Sequence, residues 1–121
     1  VDISLDPFPQ NGGISTWESL YMGVPVVAKL GNGASSRAAG AILKAIGLDD
    51  WVAEDDDGYI AIAQKFASMP PYLEELRGEL PAMIARSAAG NVETYTCKVE
   101  EGYRQFWREY CAAASGASAR T

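Results

Sequence analysis

The 121-residue sequence contains no histidine. That absence removes every Ser/His/Asp or Cys/His nucleophilic arrangement, and every His-ligated metal, from this chain. Basic residues are few: ten Lys and Arg against sixteen Asp and Glu give a formal net charge of -6 and a pI near 4.5. Nucleic-acid affinity rests on Lys and Arg neutralising phosphates, and no basic stripe is visible, so no nucleic-acid partner is expected. Long apolar runs are missing too. Nothing approaches the about 18 residues of a membrane span, and neither a charged leader nor a cleavage-site pattern follows Val1. The expectation is a soluble, cytoplasmic fragment of a longer protein, with no membrane partner. Cysteine is scarce: Cys97 and Cys111 fall in one apparent helix, where about 1.5 Å per residue sets them about 21 Å apart, too far to bridge each other. They read as small residues of a reducing compartment rather than as a redox pair.

What is present is hydrophobic patterning. At 48% hydrophobic residues, the chain can build one ordinary core and is too short for two. Val1 to Leu5 alternates and stops at Asp6-Pro7, as the end of a strand does. Residues Asp6 to Gly13 form a loop by composition, and Ser15-Thr16-Trp17-Glu18 matches a capping box opening a helix over about Thr16 to Met22. Gly23 suits the helix C-terminus, and Val24 to Leu30 is the nearly unbroken apolar run of a strand buried on both faces of a parallel sheet. Ser35 or Ser36 can cap a helix that ends at Ile46 before Gly47, and Trp51-Val52-Ala53 offers a third short strand. Asp55 to Asp57 then caps a helix bearing Tyr59, Ile62, Ala63 and Phe66 on one side.

Pro70-Pro71 breaks the chain, and Tyr72 to Arg86 is helical with an interruption expected at Pro81. From Val92 to Cys111, residues Val92, Tyr95, Val99, Tyr103, Phe106, Trp107 and Tyr110 recur at three- and four-residue steps, a strong amphipathic pattern. The division expected is one domain over residues 1–111 and a flexible tail over 112–121. Alternating strands and helices give an α/β half-domain: a short parallel sheet flanked by helices, with a long C-terminal amphipathic helix.

Ligands of such folds sit beyond the carboxyl ends of the strands, where loops lead into helix N-termini. The loop from Pro9 to Glu18 meets that description. First-turn N–H groups lack helical partners and carry partial positive charge, which suits a diphosphate. Gly12 and Gly13 let backbone approach an oxyanion, the hydroxyls of Ser15 and Thr16 add donors, and Glu18, one turn inside, can accept from ribose hydroxyls. No GxGxxG and no Walker lysine is present, so on spacing alone a second reading stands beside this one: Ser15 and Glu18 simply cap each other.

The stretches LDPFPQNGGISTWESLYMGVPVV, GNGASSRAAGAILKAIGL, VAEDDDGYIAIAQKFA and EEGYRQFWREYC together resemble the donor-binding half of the O-linked N-acetylglucosamine transferases and their SPINDLY-type relatives, over about residues 2 to 111. The resemblance implies the GT-B fold, two facing Rossmann-like domains of which this chain would be the C-terminal one. It implies a glycosyltransferase that moves a sugar from UDP-N-acetylglucosamine or another nucleotide sugar to Ser or Thr of proteins, with no cofactor and no metal. The family segment that holds the diphosphate falls on Gly13, Ile14 and Ser15, its acidic ribose ligand on Glu18, and the loop residue facing the sugar end on Gln10. The family usually has histidine or threonine followed by two threonines there. Gly13 and Ile14 depart from that, leaving backbone N–H groups, Ser15 and Thr16 to hold the phosphates. Catalytic residues, helical repeats and the groove for the protein acceptor are implied to lie upstream of this chain.

Other residues carry blander expectations. Arg37 is placed to satisfy loop carbonyls, Lys29 to be a solvated strand end, and Trp17, Tyr21 and Trp51 to be core. The acidic run Glu54 to Asp57 reads as a solvated helix N-terminus rather than a metal site. The competing functional class is a non-catalytic α/β module that senses a nucleotide or binds a protein through its aromatic C-terminal helix, favoured by the hydroxyls missing at positions 13 and 14.

Overall fold

The computed structural model describes residues 1–118. Its first compact unit, Val1–Gly90, is built on a three-stranded parallel sheet in the order β1-β2-β3. β1 (Ser4–Leu5) pairs with β2 (Val26–Lys29) in the register Ser4 to Val26, and β2 pairs with β3 (Val52–Ala53) in the register Ala28 to Val52. The central strand is the part of the expected Val24 to Leu30 run that follows Pro25 and stops at Lys29, and its lack of alternation fits: Val26, Val27 and Ala28 are all buried. Around the sheet stand α1 (Ile14–Tyr21), α2 (Ala38–Ala45), α3 (Asp56–Ala67) and α4 (Pro70–Arg86).

Where the elements differ from expectation, the reasons are local. α1 opens at Ile14, two residues early, with Gly13 as its N-cap and no side-chain cap, so Ser15 lies inside the first turn and the capping box does not form. Ser36 closes a short 3-10 turn by accepting from the Gly33 N–H and donating to its carbonyl, rather than capping α2. Trp51 ends another such turn, Asp49–Trp51, so β3 begins one residue later than expected. α4 begins on its two prolines, because first-turn residues need no N–H. It also runs unbroken through Pro81. The Arg77 carbonyl, which Pro81 cannot satisfy, faces Gly23, where an added Cβ would lie 2.9 Å away; Gly23 also has φ 73. That close approach leaves no room for a side chain at the α1–β2 turn.

The core is continuous from sheet to helices: Leu20, Val26, Val27, Leu43, Leu80 and Ile84 are essentially inaccessible. Trp51, fully buried, stacks on Phe66 at a centroid distance of 4.1 Å and 4° between planes, and Phe66 stacks on Tyr72 at 5.4 Å. Offset aromatic pairs of this kind add about 0.5–1.5 kcal/mol beyond area burial. Trp51 is therefore core as expected, and Trp17 packs half-buried against it, whereas Tyr21 is exposed.

The second unit begins at Asn91 and contains α5 (Val92–Ser118). Asn91 caps it by accepting from the Thr94 N–H at 2.9 Å. Two i,i+4 pairs, Glu100 with Arg104 and Gln105 with Glu109, brace the polar side. Tyr103, Phe106, Trp107 and Tyr110 are exposed. The unit boundary thus falls at Gly90 rather than after residue 111, and the helix continues past Cys111 to Ser118 where a tail was expected. Ala112 to Ala114 have the highest helix propensity of any residue, which accounts for the continuation. The last three residues of the expected tail lie outside the described residues.

Candidate functional site

The loop between β1 and α1 is fixed from below by one residue, Asp6, which sequence reasoning passed over. Its side chain is buried. Oδ1 accepts from the Gly12 N–H at 2.9 Å and from the Thr16 hydroxyl at 3.4 Å. Its backbone carbonyl accepts from the Tyr59 hydroxyl of α3 at 2.9 Å. Gly12 is pressed so closely onto this group that an added Cβ would lie 2.6 Å from Ser15 Oγ, 2.8 Å from Thr16 Oγ1 and 2.9 Å from Asp6 Oδ1. Burial raises the Asp6 carboxyl above its usual range, against the lowering effect of its donors, and burial together with the Asp6 charge raises the Tyr59 phenol. A signal existed in the sequence: an acidic residue directly after an apolar strand, ahead of a glycine pair.

The rest of the loop is tied sideways. The Asn11 N–H donates to the Ser35 carbonyl at 3.0 Å, and its amide nitrogen donates to the carbonyls of Pro7 and Lys29, each at 3.3 Å. Phe8 meets Tyr59 edge-on at 5.4 Å. Lys29 is not a solvated strand end: its ammonium pairs with Asp56 and sits 3.8 Å from the centroid of the Phe8 ring. Arg37 does what was expected of it, donating to the Gly31 carbonyl at 3.0 Å. Asp55 caps α3 by accepting from the Gly58 N–H at 2.7 Å. No group of three or more acidic or sulfur ligands is assembled for a metal among the described residues.

This clamp presents the first turn of α1 outward. Space is open beside Gly13, and Ile14, Ser15 and Glu18 are all exposed. No acidic residue stands in the first turn to compete with an anion. Ser15 and Glu18 share one face three residues apart, and among the described residues neither side chain enters a hydrogen bond, so the reading in which they cap each other fails. Thr16 points the other way: it is buried with Leu20, and its hydroxyl is committed to Asp6. Of the residues singled out, Gly12, Gly13, Ile14, Ser15 and Glu18 gather at the helix start, Gln10 lies exposed on the loop before it, and Thr16 supports from beneath.

At the start of α1, Ile14 is 79% exposed. A cavity of about 490 Å³ lies beside it, walled by Phe8, Pro9, Lys29 and the Gly31–Gly33 turn. Another of about 720 Å³ lies at the opposite end of the sheet, lined by Asp2, Ile3, Pro70, Leu73 and Arg77, far from the strand ends where ligands of this fold bind.

The model of glycosyl transferase family 41 matches residues 1–99. The chain belongs to glycosyl transferase family 41. Family members similar to it include the Hordeum vulgare protein named "Probable UDP-N-acetylglucosamine--peptide N-acetylglucosaminyltransferase SPINDLY", 39% identical over 120 residues, covering 99% of this chain and 13% of that protein. The SPINDLY protein of Petunia hybrida is 40% identical over 111 residues, covering 92% of this chain and 12% of that one. Among solved structures, a K341M mutant of the Thermobaculum terrenum O-GlcNAc transferase superposes with a TM-score of 0.84 at 31% identity, over 94% of this chain and 22% of that one. The chain therefore spans about an eighth of the length of these curated relatives, and its α/β fold is that of a Rossmann-like half of a GT-B family 41 enzyme. No helix among the described residues is long and apolar enough to cross a membrane.

Proposed function

We infer that this family 41 chain is the donor-binding portion of a cytoplasmic protein O-glycosyltransferase, which transfers N-acetylglucosamine or a related sugar from a nucleotide diphosphate to Ser or Thr hydroxyls. The observation that carries the reading is the uncapped, outward-facing start of α1, held in place by a loop clamped onto Asp6. The N–H groups of Ile14 and Ser15 face the diphosphate, Gly12 and Gly13 allow it to come close, and the Ser15 hydroxyl adds a donor. Glu18 takes the ribose hydroxyls and Gln10 faces the sugar end. Thr16 acts from below, through Asp6. As the bond to the sugar breaks, negative charge grows on the departing diphosphate, and N–H dipoles already aimed at it stabilise that charge without reorganising. The proposal calls on no metal and no cofactor. The acceptor protein and the groups that handle its hydroxyl belong to sequence outside this chain.

Calorimetry with UDP, GDP and their sugars tests the reading. Glu18→Ala is expected to weaken nucleotide binding by about 1–3 kcal/mol, the cost of losing hydrogen bonds to a charged group. Because Glu18 caps nothing here, thermal stability should stay nearly level. Undiminished affinity in the variant would falsify the ribose role. The rival, a non-catalytic module that senses a nucleotide or binds a protein, is favoured by the hydroxyls missing at Gly13 and Ile14; it predicts no gain in affinity from the sugar over the free nucleotide.

A further inference from the structure

A buried carboxyl lies beneath the start of α1. Asp6 is only 4% exposed, and its backbone is fixed: the N–H donates to the Val27 carbonyl of β2 at 2.9 Å, and the carbonyl accepts from Tyr59 of α3 at 2.9 Å. Its two carboxyl oxygens are placed unequally. Oδ1 accepts from the Gly12 N–H and the Thr16 hydroxyl, whereas Oδ2 is buried with no hydrogen-bond partner among the described residues. An ionised carboxylate wants donors at both oxygens; a neutral carboxyl needs them at its carbonyl oxygen and carries its proton on the other. An unpartnered oxygen also costs far more on a buried charge than on a neutral group. The arrangement suits the neutral form, and burial raises the Asp6 carboxyl above its usual range in the same sense.

No cation pairs with Asp6 among the described residues. The loop and α1 offer it the Gly12 N–H, the Asn11 amide and the Thr16 hydroxyl, while Glu18 of α1 is exposed. α3 offers the Tyr59 phenol, which burial and the Asp6 charge keep protonated; at the start of that helix Asp55 is committed to the Gly58 N–H. Lys29, at the end of β2, is engaged by Asp56 and the Phe8 ring. A Cβ placed on Gly12 would lie 2.6 Å from Ser15 Oγ and 2.9 Å from Asp6 Oδ1, so both oxygens crowd one point. A diphosphate on Ser15 therefore comes close to Asp6. At about 6 Å and an effective dielectric constant of about 20, two like unit charges oppose each other by about a hundredfold in a binding constant. A proton on Asp6 removes that repulsion and leaves Oδ1 holding Gly12 and Thr16 as before.

We propose that Asp6 is a positioning residue that takes up a proton from solvent when a diphosphate settles on the start of α1, so that donor binding is linked to pH. The proposal rests on the donor-site reading of α1. By reciprocity, whatever tightens the hold of Asp6 on its proton is itself bound more tightly by the protonated protein. Affinity is full while Asp6 is protonated in the free chain and declines as pH rises and the proton must be recruited. With no histidine, the chain lacks the side chain that ordinarily titrates between about pH 5 and 8, so the signal is unobscured. The test is calorimetry on the full chain with UDP-N-acetylglucosamine and with GDP-fucose, neither of which has the terminal phosphate that titrates near about pH 6. Repeating each titration in two buffers of different ionisation enthalpy counts the protons taken up. Wild type is expected to take up as much as one proton and to lose about tenfold in affinity between about pH 5.5 and about 8. Asp6→Asn, which keeps an acceptor for Gly12 and Thr16, should take up none and bind equally well across that range. Level wild-type affinity without proton uptake overturns the proposal, as does undiminished uptake in Asp6→Asn. Should that variant not fold, Thr16→Val decides: it removes a donor that favours the charged form, so the fall in affinity should move to higher pH, and a fall that stays in place overturns the assignment to Asp6. Failure of wild type to bind either nucleotide sugar at any pH overturns the α1 reading, and this one with it.

Discussion

At the scale of single residues, Asp6 holds the most consequential position in the loop. One oxygen serves two donors, while Oδ2 is buried without a hydrogen-bond partner among the described residues. Burial lifts its carboxyl above the ordinary 3.8. A raised value in the folded state means that the folded protein holds this proton more tightly than the unfolded chain. The resulting stabilisation is complete below the unfolded value and is lost as pH rises through the elevated one. Asp6→Asn carries no such proton. Urea titrations should therefore show wild type losing stability relative to the variant as pH is raised from about 4 towards about 7. A difference that stays constant over that range would mean that Asp6 titrates like a solvated carboxyl. That Gly12, Gly13, Ser15 and Glu18 gather at a helix start was legible in the sequence, because a glycine pair and hydroxyls between a strand and an apolar-periodic run mark a loop leading into a helix. The inward turn of Thr16 was less so, since it follows from α1 starting at Ile14; its four-residue spacing to the buried Leu20 was the available clue.

At the scale of elements, the order of strands and helices was legible from apolar periodicity, and the boundaries were not. Three prolines show why. Pro70 and Pro71 read as breakers, yet a helix tolerates proline in its first turn, and only the packing of Leu76, Leu80 and Ile84 reveals that the turn exists. Pro81 read as an interruption, but the same buried stripe runs past it and keeps the helix together at the cost of one hydrogen bond. Pro81→Ala restores an N–H to the Arg77 carbonyl. Its expected effect is a gain of about 1–2 kcal/mol in unfolding free energy, less than the about 3 kcal/mol intrinsic penalty because proline also restricts the unfolded chain. A urea midpoint that does not rise would show that the Gly23 approach already compensates for the missing bond.

For the whole molecule, the buried residues of the hydrophobic core among the described residues run from Leu20 to Ile84. A chain ending at Gly90 is accordingly expected to keep its helical circular dichroism signal and a cooperative thermal transition. A broad, non-cooperative melt would show that α5 is needed for folding. The half-domain architecture and the family 41 relationship were both readable in advance, because loop, central strand and helix start recur together in the sequence. The two-unit division was not, because amphipathicity says that a face wants covering without saying where the cover is.

The three tryptophans stand in three different environments. Trp51 is sealed in an aromatic stack, Trp17 is half-buried on α1 one residue from Glu18, and Trp107 is 65% exposed. A water-soluble quencher therefore reaches the last first and the first hardly at all. With Trp107 replaced by Phe, the emission that remains comes from one indole reporting core integrity and one neighbouring the proposed donor contact, an optical gauge that requires no label.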